Sequence, residues 1–127
     1  ASLGIDVVSG DAGNDKIFGG KGNDGLSGGT GDDEIVGGLG SDTMTGDDGA
    51  DTFVFAAGHG DDEVTDFEVG IDALYFRGFT SASDAGLTWA QTDASTVELS
   101  YAGDASVEIA FEGQLAGFED SFLFDVA

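Results

Sequence analysis

A nine-residue repeat occupies residues 9–53 and leaves few folds open to this chain. Written in register, five consecutive units read SGDAGNDKI, FGGKGNDGL, SGGTGDDEI, VGGLGSDTM and TGDDGADTF. Each unit has glycine at its second and fifth positions, aspartate at its seventh and a large apolar residue at its ninth. The segment GIDVV at residues 4–8 fits the end of a preceding unit. A repeat this short is typical of a solenoid, in which similar units stack along one axis.

Each unit reads as about six turn residues followed by a very short strand, and such a unit has to stack on its neighbours to bury its apolar residue. If one unit turns the chain through half a coil, a full winding takes two units and builds two facing parallel sheets. The ninth-position residues then line a thin core, Val8, Leu26 and Met44 in one sheet and Ile17, Ile35 and Phe53 in the other. The predicted fold class is all-β: a right-handed parallel β-roll, or β-helix, followed by a β-rich carboxy-terminal cap.

The seventh-position aspartates predict metal sites along the edges of the roll. Turns one winding apart lie about 4.8 Å from each other, so two carboxylates and several turn carbonyls surround one point. Ligands that are all oxygen suit calcium, whereas zinc prefers His or Cys and magnesium retains water in an octahedral shell. The predicted pairs are Asp6 with Asp24, Asp15 with Asp33, Asp24 with Asp42, and Asp33 with Asp51. We expect about four Ca²⁺ ions, in a range of roughly three to six.

Turn residues complete these predicted sites, because glycine permits the positive φ of a tight turn with exposed carbonyl groups. Asp11 and Asp47 stand where the third-position glycine is expected, and we expect a turn to tolerate them. The predicted metal-site residues are Asp6, Gly10, Asp11, Gly13, Asp15, Gly19, Gly20, Gly22, Asp24, Gly28, Gly29, Gly31, Asp33, Gly37, Gly38, Gly40, Asp42, Gly46 and Asp51.

The charge of the chain supports a cation partner. It has 26 acidic and three basic side chains, for a net charge of −23, so its self-repulsion destabilises any compact state that binds no cations. Four calcium ions would bring this charge to about −15. The charge argues against nucleic acids as partners and disfavours anionic membranes, because both bind clustered Lys and Arg. The 40% apolar content, with ten Phe, distinguishes the chain from disordered acidic sequences.

The five units resemble the repeats-in-toxin (RTX) nonapeptide, also called the hemolysin-type repeat, a calcium-binding β-helix repeat. The resemblance is strict over residues 4–53 and continues loosely through ADTFVFAAGHGDDEVTDFEVGIDALYF, which resembles the segment after the repeats in serralysin-type carboxy-terminal domains. The ending EDSFLFDVA is similar to the tails of proteins exported by type I secretion. The resemblance therefore implies a calcium-binding, secreted bacterial module.

The second half of the chain differs in composition, because 17 of the 23 glycines lie in residues 1–62. We therefore divide the chain into a calcium-binding β-roll at 1–62 and a cap at 63–127 that form one cooperative unit. The alternating stretch TVELSYAGDASVEIAF predicts a hairpin with its turn at residues 102–104. IDALYFRGF and GLTWAQT predict further strands, QLAGFEDS a single helical turn, and FLF at residues 122–124 a last strand. The cap is expected to cover the open strand edge of the last coil.

Other motifs that the sequence suggests lack the structural context that they require. Gly20-x-Gly22-x-x-Gly25 has the spacing of a dinucleotide-binding loop, but no helix is predicted to follow it. The Asp-x-Asp-x-Asp-Gly pattern of an EF-hand does not occur. His59, the single histidine, is interpreted as a solvated turn residue, and no catalytic triad or His-Glu-x-x-His motif occurs. There is no cysteine, no apolar run that could span a bilayer and no amino-terminal signal peptide, and the start at Ala1 suggests a fragment or a mature form.

The sequence therefore predicts a monomeric, non-catalytic module that binds calcium and folds after export by a type I secretion apparatus. It would serve as the secretion and folding domain of a larger extracellular bacterial protein. The alternative is a carbohydrate-binding module, similar to the alginate-binding repeats of mannuronan epimerases, although a polyanionic sugar would find only Lys16, Lys21 and Arg77. A third interpretation is the anchor domain of an adhesin or of a secreted hydrolase.

Overall fold

The computed structural model describes residues 6–56, 60–77, 87–101, 105–112 and 122–124. These residues form twelve strands and no α-helix, so none of them belongs to a helix that could cross a membrane. The strands are β1 (Val7–Ser9), β2 (Lys16–Lys21), β3 (Gly25–Ser27), β4 (Glu34–Leu39), β5 (Thr43–Thr45), β6 (Thr52–Ala56), β7 (Asp61–Glu68), β8 (Ala73–Arg77), β9 (Thr88–Asp93), β10 (Thr96–Tyr101), β11 (Ala105–Glu112) and β12 (Phe122–Phe124).

Consecutive strands alternate between two sheets, as half-coil turns require. The odd strands of the roll belong to a seven-stranded sheet in the order β1-β3-β5-β7-β11-β10-β9. The even strands belong to a five-stranded sheet in the order β12-β8-β6-β4-β2. All pairings within β1–β8 are parallel, and each coil contributes one strand to each sheet. The predicted parallel β-roll is confirmed.

The strand register follows the nine-residue repeat through three coils. Val8 pairs with Leu26 and Leu26 with Met44, while Ile17 pairs with Ile35 and Ile35 with Phe53. Both predicted core rows are therefore confirmed. The fourth coil keeps the stacking with a longer path, because Val64 pairs with Met44 and Leu74 with Phe53.

The core lies between the two sheets and widens at its carboxy-terminal end. Ile35, Met44, Phe53, Val64 and Leu74 are all fully buried. Aromatic residues fill the wider end, where the ring centroids of Phe53 and Phe67 are 6.2 Å apart and those of Phe55 and Phe76 are 6.0 Å apart. Strands β6, β7 and β8 each bury a second large apolar residue, namely Phe55, Phe67 and Phe76, whereas the earlier strands bury at most one each.

The cap pairs with the last coil on both sheets. The predicted hairpin is confirmed as the antiparallel pair β10–β11, whose inward residues Val97, Leu99, Val107, Ile109 and Phe111 are buried. Strand β11 pairs in parallel with β7, and β12 pairs in parallel with β8. The edges of the last coil are therefore covered, as expected for a β-solenoid that avoids edge-to-edge association.

Several sequence predictions fall partly or wholly outside the described residues, namely the hairpin turn, the QLAGFEDS turn and His59. The proposed boundary near residue 62 lies within strand β7, so both sheets continue across it. The division into 1–62 and 63–127 stays a prediction.

Candidate metal sites along the turns

Aspartates of successive coils form a ladder along each edge of the roll. In every pair the backbone N–H of the earlier aspartate donates to Oδ1 of the aspartate one coil later, at 2.8–3.0 Å. This contact brings together all four pairs predicted from the sequence: Asp6 with Asp24, Asp15 with Asp33, Asp24 with Asp42, and Asp33 with Asp51. The ladder arises because each aspartate lies two residues before an inward apolar residue and so points to the same side of its strand.

The other carboxylate oxygen, Oδ2, accepts no hydrogen bond in several aspartates of the ladder. Oδ2 of Asp15, Asp24, Asp33 and Asp51 is buried and accepts no hydrogen bond within the described part of the chain. The side chains of Asp24, Asp33 and Asp51 are only 3%, 3% and 1% exposed. A buried, negatively charged oxygen without a partner is strongly unfavourable unless a cation neutralises it.

Each of these atoms lies close to the glycine at the second position of its unit, where a side chain would collide with oxygen atoms. A Cβ atom on Gly28 would lie 2.5 Å from Oδ2 of Asp33 and 2.9 Å from the carbonyl oxygen of Gly46. A Cβ on Gly10 would lie 2.7 Å from Oδ2 of Asp15 and 2.8 Å from the carbonyl oxygen of Gly28. The predicted site residues Gly19, Gly37 and Gly46 likewise lie against Asp24, Asp42 and Asp51.

The chemistry of these donors fits calcium. Carboxylate and carbonyl oxygens are hard ligands, and calcium accepts six to eight of them in irregular geometry. No group of three or more His, Cys, Asp or Glu side chains converges among the described residues.

The remaining predicted glycines shape the turns. Gly13, Gly20, Gly22, Gly29, Gly31, Gly38 and Gly40 have positive φ. At Gly31, with φ of 108°, a side chain would also collide with the carbonyl group of Gly13 in the preceding coil. Asp11 and Asp47 adopt the same left-handed conformation, with φ of 68° and 64°, so the turns tolerate both departures from the repeat. That these residues bind calcium stays a prediction.

A second ladder, which sequence reasoning missed, follows the sixth position of the unit. Oδ1 of Asn14 accepts the backbone N–H of Asp32 at 2.8 Å, and Oδ1 of Asp32 accepts that of Ala50 at 2.8 Å. On the other edge, Oδ1 of Asn23 accepts the N–H of Ser41 at 2.8 Å. The sequence did contain a signal, because four of the five units have a short side chain with a hydrogen-bond acceptor at the sixth position. The stronger patterns at the third and seventh positions drew attention away from it.

The aspartate ladder also continues beyond the last repeat. Asp42 N–H donates to Oδ1 of Asp62 at 2.8 Å, and Asp51 N–H donates to Oδ1 of Asp72 at 2.9 Å. The signal was present as Gly-x-Asp-x-apolar, in GDDEV at residues 60–64 and GIDAL at residues 70–74. It was missed because these aspartates follow their partners by 20 and 21 residues, whereas the regular winding takes 18.

Burial dominates the acidity of two ladder residues. It raises the pKa of Asp51 to about 7, although the hydrogen bond from the Asp33 backbone lowers it, and neighbouring carboxylates add to the increase. Burial also raises the pKa of Asp72 to about 6, against hydrogen bonds from the backbone of Asp51 and Glu68. Because an adjacent cation favours the ionised carboxylate, a calcium ion bound beside Asp51 would compete with the proton for that group.

The two sheets differ in their basic residues. All three basic residues of the sequence lie on the five-stranded sheet, Lys16 and Lys21 in β2 and Arg77 in β8. Lys16 Nζ lies 3.4 Å from Oε1 of Glu34 and 5.5 Å from the ring centroid of Phe18, which is 47% exposed. Arg77 Nη2 lies 4.0 Å from the same Glu34 oxygen.

Comparison with known proteins identifies the repeat. The family profile of the RTX calcium-binding nonapeptide repeat (four copies) matches residues 1–35 and 27–62. No curated protein sequence gives a significant match.

Three solved structures share the fold. The AlgE6R3 subunit of the Azotobacter vinelandii mannuronan C5-epimerase is 28% identical with a TM-score of 0.69, over 97% of this chain and 80% of that one. The AlgE6R2 subunit is 32% identical with a TM-score of 0.58, over 94% and 92%. The extracellular lipase LipA of Serratia marcescens is 27% identical with a TM-score of 0.75, over 98% of this chain but only 20% of the lipase. With its five nonapeptides and its ladder of aspartates, the chain belongs to the family of proteins with RTX calcium-binding repeats.

Proposed function

We propose that this RTX module is a calcium-dependent folding domain of a larger extracellular bacterial protein. The observation that carries the proposal is the row of buried Oδ2 atoms of Asp15, Asp24, Asp33 and Asp51, which have no hydrogen-bond donor within the described residues. The fold therefore concentrates negative charge at its edges, and calcium bound there would offset it. The proposed stoichiometry is about four ions, in a range of roughly three to six.

The energetics make folding depend on the calcium concentration. A ligand that binds only the folded state stabilises it by RT ln(1 + [L]/Kd). With a Kd of about 10⁻⁴ M, a value found in extracellular modules, millimolar calcium contributes about 1.4 kcal/mol per site. Four sites contribute roughly 6 kcal/mol, which is comparable to the stability of a whole domain. At cytosolic calcium concentrations this contribution vanishes and the carboxylate repulsion remains.

This dependence suits export through a type I secretion apparatus. The chain would remain unfolded in the cytosol, pass through the exporter and fold outside, nucleated by its cap. The tail would act as a signal while unfolded and then pair as β12 with β8. The similarity to an extracellular lipase, of which the matched region is 20%, supports a non-catalytic module attached to a larger protein that carries the activity. We propose that the module itself is monomeric.

Far-UV circular dichroism during a calcium titration tests the proposal. We expect a disordered spectrum in excess EGTA and a β-rich spectrum in millimolar calcium, with a cooperative transition between them. Magnesium at the same ionic strength is the control and should not replace calcium, because its octahedral preference fits these irregular sites poorly. A folded spectrum that persists in EGTA would contradict calcium-dependent folding.

A second candidate function is binding of an acidic polysaccharide on the outward face of the five-stranded sheet. Two observations favour it: the likeness to subunits of a mannuronan epimerase, and the exposed Phe18 ring beside the cationic Lys16. The contact of both Lys16 and Arg77 with Glu34 weakens it, because Glu34 already neutralises part of the positive charge. Retention on immobilised alginate at constant calcium tests it, with Phe18→Ser and Lys16→Ser expected to abolish any retention that this face provides.

A further inference from the structure

The regular coils satisfy their turn N–H groups in one consistent way. The second-position glycine donates its N–H to a strand carbonyl of the next coil, as in Gly10 to Ser27 and Gly28 to Thr45, both at 2.9 Å. The seventh-position aspartate donates to Oδ1 of the next aspartate in the ladder, whose Oδ2 is left for another partner. Both N–H groups find their acceptor on the next regular coil. After the last regular coil, other residues have to provide these acceptors.

Asp66 provides the substitute at the second position. Its Oδ1 accepts the N–H of Gly46 at 2.9 Å, and its Oδ2 accepts the N–H of Asp47 at 2.7 Å. A side-chain carboxylate here replaces the backbone carbonyl that the earlier coils use. The two N–H groups at the start of this turn are therefore satisfied by one residue of β7.

Asp72 provides the substitute at the seventh position. Its Oδ1 accepts the N–H of Asp51 at 2.9 Å, as the ladder requires. Its Oδ2 accepts the N–H of Glu68 at 2.9 Å, an interaction made possible by a tight turn in which the N–H of Asp72 donates to the carbonyl of Glu68 at 2.9 Å. Asp72 thus differs from Asp33 and Asp51, because both of its buried oxygens are already hydrogen-bonded.

We propose that Asp66 and Asp72 terminate the aspartate ladder of one edge, the one that contains Asp33 and Asp51. Backbone hydrogen bonds take the place of an ion at the last aspartate of this edge, so that Asp72 is not a calcium ligand. The inference rests on the proposed calcium-binding function and adds to it a limit on the number of ions. On this edge of the roll, the last ion would then lie beside Oδ2 of Asp51, which has no hydrogen-bond partner within the described residues. The end of this edge lies where β11 and β12 join the last coil.

Counting bound calcium in substituted chains tests the inference. In Asp72→Asn the number of ions per chain, measured by equilibrium dialysis with excess calcium, should equal that of the unsubstituted protein, whereas the thermal midpoint should fall. In Asp33→Asn, the matched substitution within the ladder, the number of ions should fall. Asp66→Asn should lower the thermal midpoint without loss of an ion. Loss of one ion in Asp72→Asn, relative to the unsubstituted chain, would overturn the inference.

The crystal structure of the unsubstituted chain with calcium provides a test that does not depend on the folding of a variant. We expect anomalous calcium peaks beside Oδ2 of Asp15, Asp24, Asp33 and Asp51 and none within bonding distance of Asp72. A calcium ion coordinated by Oδ2 of Asp72 would overturn the inference but leave the proposed function intact. A chain that binds no calcium at any edge would instead overturn the proposed function.

Discussion

At the residue scale, the second-position glycine and the seventh-position aspartate of one unit act together. A Cβ on Gly28 would lie only 2.5 Å from Oδ2 of Asp33 and 2.9 Å from the Gly46 carbonyl oxygen. Gly28 does not have positive φ, so its requirement comes from this close approach and not from the backbone conformation. A methyl group should therefore displace both oxygens.

We expect Gly28→Ala to weaken calcium binding at the Asp33 site. The new methyl group would collide with the two oxygens and displace them, and loss of one site would lower the unfolding free energy by at least about 1.4 kcal/mol in millimolar calcium. The midpoint of a calcium titration followed by circular dichroism measures the effect. Gly25→Ala is the matched control, since nothing lies within 4 Å of its added Cβ. Equal midpoints for the two variants would contradict the predicted position of the ion.

Asp33, like Asp24, belongs to two predicted pairs, and its partners are Asp15 and Asp51. Its loss should therefore cost more than the loss of an aspartate that belongs to one pair. Asp33→Asn should weaken two sites and lower the unfolding free energy by about 3 kcal/mol in millimolar calcium. Urea unfolding at fixed calcium concentration measures this loss. Asp32→Asn removes the same charge from the neighbouring position and keeps an oxygen to accept the Ala50 N–H, so its stability should change little. A comparable loss in both variants would indicate that net charge, and not the site, is responsible.

At the element scale, the regular coils were predictable and the irregular one was not. The 18-residue winding fixes which apolar residues align, so Ile17, Ile35 and Phe53 could be paired from their spacing alone. Strands β7 and β8 continue the same sheets after longer connections, and such insertions leave no fixed spacing to follow. The order of β11 and β10 beside β7 depends on long-range pairing that local alternation does not encode. The aspartate pairs could be predicted for the same reason as the core, whereas the terminal role of Asp72 depends on a tight turn.

The cap hairpin should contribute directly to the stability of the roll, because β11 extends the seven-stranded sheet beside β7. Ile109 is fully buried and pairs with Val64, so Ile109→Ala should lower the unfolding free energy by about 2–5 kcal/mol. Glu108 is exposed on the same strand, and Glu108→Ala should change this free energy by less than about 0.5 kcal/mol. Thermal unfolding in saturating calcium compares the two. If Ile109→Ala lowered the stability of the cap and left the unfolding transition of the roll unchanged, the two parts would unfold separately.

At the scale of the whole molecule, negative charge and buried carboxylates oppose folding together. The net charge is −23, and burial raises the pKa of Asp51 to about 7 and that of Asp72 to about 6, from an ordinary value of 3.8. Between pH 4 and 7 the folded chain therefore binds more protons than the unfolded chain. Its unfolding free energy must then fall as the pH rises through this window. Protonation thus stabilises the fold partly through the carboxylate of Asp51, which the proposed calcium ion would also neutralise.

This competition predicts opposite pH effects with and without calcium. In EGTA, the chain should have more β-structure at pH 5 than at pH 7.5, because protonation removes the cost of the buried carboxylates. In a calcium titration, the midpoint should be higher at pH 5, because protons must leave before the ion binds. Circular dichroism at the two pH values measures both effects. Asp51→Asn should reduce the pH dependence in EGTA, since its neutral amide does not titrate, whereas Asp32→Asn should leave it nearly unchanged. A chain in EGTA that loses structure on acidification would show that protonated ladder carboxylates do not support the roll.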